Sequence, residues 1–164
     1  MEDNAMTSEE QNLSISIPAN RGRKAIREGL FRGDLFNLDQ LRLAGTRCNY
    51  CHETTLGLAS LCPNCGRDEV QQVGLGNKGF IWTFTVARHM PPGAYKGPKP
   101  FSPFGLGLVE LPEGLRVLTP IAGDVDRMKI GMPVKFHPYV RQDPENETIV
   151  FSYVPCSIEG SVNV

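Results

Sequence analysis

Residues 48–66 read CNYCHETTLGLASLCPNCG: two Cys-x-x-Cys steps, Cys48/Cys51 and Cys62/Cys65, with ten residues between them. A Cys-x-x-Cys turn presents two sulfurs on one side of a tight knuckle. Two such turns therefore offer four thiolates in the tetrahedron that Zn²⁺ favours. The second knuckle ends in Gly66, which supplies the positive φ that lets the backbone fold back over its sulfurs. The first has His52 at the equivalent place. The spacing predicts a rubredoxin-like zinc ribbon over residues 38–73, with Cys48, Cys51, Cys62 and Cys65 as ligands. Four thiolates also suit iron, so a rubredoxin-like electron carrier is a rival reading, separable by metal analysis.

The ten residues between the knuckles are expected to form a loop, and so small a ribbon has almost no apolar core of its own. Metal binding must then supply most of its folding free energy. The fifth cysteine, Cys156, follows the last strand-like segment and is expected to be an inert thiol. A disulfide framework belongs to secreted chains. The N-terminus is acidic (Glu2, Asp3, Glu9, Glu10) and unlike a signal peptide, and no run nears the ~18 apolar residues of a membrane helix. The expected location is the cytoplasm. At 164 residues, with 40% hydrophobic content and a formal charge of -1, the chain has room for one ordinary domain or two small ones, and its charge argues against a strong general attraction to nucleic acid.

Upstream of the ribbon, residues 1–21 are polar and aperiodic and are expected to be a mobile arm. Residues 22–37 are expected to hold a short helix. Ile26, Leu30 and Phe31 form its apolar stripe, and basic residues surround it between Arg21 and Arg32. Three apolar residues bury little area, which makes the helix a candidate for docking on a partner; the alternative is an ordinary solvated helix.

Downstream, residues 74–164 carry period-two patterning, beginning with Phe80, Trp82, Phe84 and Val86 against Ile81, Thr83, Thr85 and Ala87. Further strands are expected at 105–111, 115–122, 133–141 and 148–154. Pro112-Glu113-Gly114 turns a hairpin, and a short helical piece runs from Asp124 as N-cap to Gly131 as stop. Five strands with a helical piece between the third and fourth is the order of an OB-type barrel. The predicted class is therefore mainly β: N-terminal helix, zinc ribbon, five-stranded barrel.

Gly74-x-Gly76-x-x-Gly79 matches the dinucleotide fingerprint, but a strand-patterned segment follows it where the mechanism needs a helix N-terminus. It is expected to be a flexible hinge. Residues 88–104 hold five prolines, three aromatics, four basic or histidine side chains and no acid. Proline fixes φ and removes donors, so this is a long, stiffened loop. Its cations suit phosphates and its aromatics an adenine ring or a partner, which makes Arg88, Tyr95, Lys96, Lys99 and Phe101 the candidate ligand-binding residues. The bland reading is a passive surface loop. No catalytic constellation is legible, so the chain is not expected to be catalytic alone.

The ordered set LRLAGTRCNYC…LCPNCG, VGLGNKGFIWTFTV, GLGLVELPEG and MKIGMPVKF resembles the acyl-CoA-associated zinc-ribbon/OB-fold family across roughly residues 22–154. The long loop and tail look like the small subunit of a benzylsuccinyl-CoA-type thiolase. The resemblance implies a non-catalytic, zinc-containing subunit that docks on a thiolase-like catalytic chain and helps to form its CoA or acyl-CoA channel for thiolytic C–C cleavage. A single-stranded nucleic-acid-binding module is the alternative, with Phe80, Trp82 and Phe84 as a stacking face. Against it, that alternating face is expected to fill the barrel core.

Overall fold

The computed structural model describes residues 22–93, 97, 99–144 and 146–156. The expected arm over 1–21 lies outside them. Five strands form the barrel's wall: β6 (Lys78–Ala87), β7 (Phe104–Glu110), β8 (Arg116–Ile121), β9 (Pro133–Gln142) and β10 (Glu147–Pro155). β6, β7 and β8 are successive antiparallel neighbours, β8 meets β10 in parallel, β10 pairs with β9, and β9 returns to β6. The ring is closed, although β8 meets β10 only at Tyr153, which leaves the Glu147–Ile149 end of β10 open on that side. The expected five-stranded OB-type barrel is present, including the helical piece: a 3₁₀ turn at Val125–Arg127 whose cap, Asp124, accepts from the Asp126 N–H, with Gly131 at positive φ beyond it.

Period two fills the barrel. Along β7, Gly105, Gly107 and Val109 face inward; along β8, Val117, Thr119 and Ile121 do. In β6 the alternation changes phase. Ile81 pairs with Val109 and Thr83 with Leu108, leaving Trp82 as the extra residue of a β-bulge. Ile81 therefore points into the core, whereas Phe80 and Trp82 point out, 58% and 46% exposed. Beyond the bulge Phe84 packs against the core. The expectation that all three aromatics share a buried face is corrected: two line the outer surface, because a bulge breaks the period that made them equivalent.

The helix expected within 22–37 does not form. Its residues make two short strands, β1 (Arg23–Ala25) and β2 (Phe31–Arg32). β1 runs parallel to Glu147–Ile149 of β10, and Arg23 bonds Glu147 at 2.7–2.8 Å with both side chains mostly buried. Gly29 takes φ 72° between them, a conformation foreign to a right-handed helix. The three apolar residues consequently separate: Ile26 is exposed, Leu30 is buried, and Phe31 packs against Phe136 and Phe151 with centroids 6.3 and 6.0 Å away. Strand pairing and ring packing outweigh a helix propensity that rested on one stripe.

The ribbon follows a 3₁₀ turn at Leu38–Gln40. Its central strand β3 (Arg42–Cys48) is flanked by β4 (Thr54–Leu56) and β5 (Val70–Gly74), both antiparallel to it. It does not stand alone. Leu30, Leu43 and Leu75 belong to the same buried cluster as Ile81, Val109, Phe136 and Tyr153 of the barrel. The glycine motif at the junction is correspondingly packed rather than a free hinge. The Leu75 N–H donates to the Leu43 carbonyl at 2.8 Å and the Gly76 N–H to Glu113 Oε1 at 2.7 Å. A Cβ on Gly79 would collide with the Glu110 carbonyl.

Because one core serves both parts, Leu75→Ala should cost about 2–5 kcal/mol, the range for a buried leucine truncation. Denaturation followed through Trp82 fluorescence and through metal release should shift to the same lower midpoint. Separate midpoints would mean that ribbon and barrel unfold independently.

Candidate metal centre

Both knuckles are built by one hydrogen-bond pattern. In the first, the Cys48 N–H donates to the Glu53 carbonyl (2.9 Å) and the His52 N–H to the Cys48 carbonyl (3.1 Å). In the second, the Cys62 N–H donates to Arg67 (2.7 Å) and the Gly66 N–H to Cys62 (2.8 Å). His52 and Gly66 have left-handed φ values of 62° and 74°. His52 thus adopts the conformation for which glycine is the unstrained choice, and the departure at this position leaves the knuckle's geometry intact. The Arg67 guanidinium lies 3.5 Å from the centroid of the Tyr50 ring, tying one knuckle to the other.

The four Sγ atoms lie within 4.8 Å of one another. Cys48 and Cys65 are 3.7 Å apart and Cys51 and Cys62 3.6 Å. A tetrahedral ion with bonds of about 2.3 Å to sulfur requires edges of about 3.8 Å. A disulfide would need about 2.05 Å. The sulfurs fit a metal ion, with zinc the ion that suits four thiolates in a fixed tetrahedron. Such an ion would be held by Cys48, Cys51, Cys62 and Cys65, would add rigidity, and would have no open position for substrate.

The thiols themselves are unequal. Backbone hydrogen bonding from Glu53, then the Asn64 amide at 3.6 Å, lowers Cys51 to about 6. For Cys65 the Arg67 backbone N–H acts downward, but desolvation and the three neighbouring sulfurs together push it up to about 12. Four sulfurs this close cannot all hold negative charge without a cation among them.

The ligand-binding candidates are scattered. Arg88, at the end of β6, is exposed and paired with Asp126 at 3.1 Å. Lys99 is exposed, and Phe101 is half-buried in an edge contact with Phe104, centroids 6.3 Å apart. Tyr95 and Lys96 lie outside the described residues. The structure instead opens a groove of about 720 Å³ on the outside of the barrel. One wall is the outward row of β9, namely His137, Tyr139 and Arg141; the other is Phe104 with Pro120 and Gly123. His137 stacks on Tyr139 at 5.9 Å, and Arg141 reaches Asp143 at 3.3 Å. Sequence reasoning missed this row, although polar and aromatic residues at i, i+2 and i+4 of an expected strand were its signal.

The comparisons with known proteins agree with this architecture. Residues 72–137 match the family of the ChsH2 C-terminal OB-fold domain. A solved chain described as an Ltp2-ChsH2(DUF35) aldolase superposes with a TM-score of 0.53 at 32% identity, over 70% of this chain and 84% of that one. The chain belongs to the acyl-CoA-associated OB-fold family, the DUF35 proteins. It is 34% identical over 113 residues to the probable enoyl-CoA hydratase alpha subunit of Thermomonospora curvata, covering 68% of this chain but only 34% of that protein. It is 31% identical over 85 residues to the benzoylsuccinyl-CoA thiolase subunit BbsA of Geobacter metallireducens, covering 51% of this chain and 53% of that one.

Two measurements check the centre. His52→Gly should retain the metal, whereas His52→Val, a β-branched residue at positive φ, should lose about 1–3 kcal/mol and release the metal at lower temperature. Since Cys65 gives up a proton on binding throughout the neutral range, chelator competition should show affinity rising at least about tenfold per pH unit between about pH 7 and 9. A flat profile would contradict a four-thiolate shell.

Proposed function

We propose that this chain is a non-catalytic, zinc-stabilised accessory subunit of a thiolase-like acyl-CoA enzyme. It docks on the catalytic chain and helps to form the acyl-CoA channel used for C–C bond cleavage. The observation that carries this reading is the likeness to proteins named as subunits of acyl-CoA enzymes. The thiolate shell supports it, since a metal with four protein ligands has no place for substrate. The catalytic chain supplies the nucleophile and the acid and base groups; this chain binds and orients. The groove suits that part. Arg141, whose Nε and Nη2 are held by Asp143, has its remaining N–H groups for a phosphate, the His137–Tyr139 stack a flat face for an adenine, and Phe104 an apolar wall for the acyl arm. Arg88, Lys99 and Phe101 border the same loop and remain candidates for outer contacts, as do Tyr95 and Lys96.

An aldolase-type partner is the second reading, favoured by the 84% coverage of the ChsH2(DUF35) chain against 53% of the thiolase subunit. The two differ in what attacks: a CoA thiolate in thiolysis, none in retro-aldol cleavage. The nucleic-acid reading is weakened on two counts. The bulge splits the supposed stacking trio between inside and outside, and Arg23 of the basic segment is bound to Glu147.

Co-production with the thiolase-like chain of the source organism should yield a stable complex with CoA-dependent cleavage. Arg141→Ala should then raise KM for CoA about tenfold or more, the scale of a hydrogen bond to a charged group, and leave kcat unchanged. Chains that elute separately, with activity indifferent to this subunit, would overturn the proposal.

A further inference from the structure

We infer that the outer face of β6, β7 and β8 is the surface that seats the catalytic partner, and that it fits an apolar patch rimmed by carboxylates. The inference rests on the accessory-subunit reading and names the face that reading requires.

The bulge at Trp82 creates this face. Phe80 and Trp82 project outward from β6, and two strands away Leu118 is 66% exposed. Arg116 lies over the Trp82 ring at 4.0 Å and bonds Glu110 at 2.8 Å, so these side chains form one contiguous surface. Ile130, 69% exposed, sits at its margin, where the neighbouring Gly131 N–H bonds the Ile81 carbonyl. Large apolar side chains grouped in this way on a barrel's exterior mark an interaction site, and aromatic residues with a stacked arginine are the composition of an interface centre.

The rim selects the partner. Lys78 and Lys135 stand directly opposite each other across β6 and β9, next to the Phe80–Pro133 pair. Like charges in facing positions are unfavourable. Neither lysine has an ion-pair partner among the described residues, and Lys129 beside Ile130 has none either. A second copy of this chain docked face to face would bring two such lysine pairs together, whereas a partner with carboxylates around an apolar centre would neutralise them. The face also runs on along β8: Leu118 is followed on the same side by Pro120, a wall of the groove. A partner seated here would overhang the groove and close it.

The test compares the wild-type complex with Leu118→Asp and with Lys78→Glu/Lys135→Glu, all changes at exposed positions. Melting temperature and metal content of each variant alone confirm the fold. With the thiolase-like chain of the source organism, Leu118→Asp should weaken association by roughly 30-fold, the scale of a hot-spot residue. The double charge reversal should weaken it and invert the salt dependence. If wild type forms the complex and both variants bind as tightly, the face is wrong while the accessory role stands. If this chain alone is a dimer that Leu118→Asp dissociates, the occupant is a second copy and the inference fails. If wild type forms no complex, both the face and the accessory reading fall.

Discussion

Four sulfurs within 4.8 Å are the constraint on which the ribbon depends. Protonated, they form a weakly bonded cluster; ionised without a cation, they repel. The backbone has prepared for the ionised form, since each knuckle aims amide hydrogens at its sulfur and uses one left-handed residue to do so. The cost of that conformation at His52 is accepted in exchange for a closed loop. Glycine meets it more cheaply at Gly66.

The ribbon's rigidity matters because it is transmitted. β3 carries Cys48 at one end and Leu43 near the other, and Leu43, Leu75 and Leu30 are packed among the barrel's own residues. Order imposed at the four cysteines would therefore reach the barrel through one strand and one apolar cluster. Gly76 and Gly79 are consistent with this. The first lies against Pro112 and Glu113, the second against Glu110, and both allow the backbone to pass where a side chain would not fit. A motif that imitates a phosphate loop proves to be a close-packed seam.

The barrel has divided its outer surface between two kinds of chemistry. Around β8–β10–β9 the exposed row is polar and aromatic and borders a groove. Around β6–β7–β8 it is apolar with a cationic rim. One strand, β8, belongs to both. The proposed ligand groove and the proposed docking face would then share an edge, the arrangement an accessory subunit needs if its partner is to complete a binding site.

Much of this was legible in the residues themselves. The closeness of the four sulfurs was legible because Cys-x-x-Cys spacing is local and sets it within four residues. The five barrel strands were legible because alternation and turn residues are local as well, and the order of elements carried the family resemblance. Tertiary structure alone decided the rest. Which face of β6 turns inward depends on a bulge defined against β7, and Phe80 and Trp82 changed sides with it. Residues 23–25 became a strand because the start of β10 lies beyond the reach of β8, and residues 31–32 because β3 pairs with them and Phe136 and Phe151 offer rings, none of it visible from the segment itself. His137, Tyr139 and Arg141 became a groove wall only when loop and β8 closed over them. Local chemistry specifies a knuckle or a strand; a surface is specified by what the fold places opposite it.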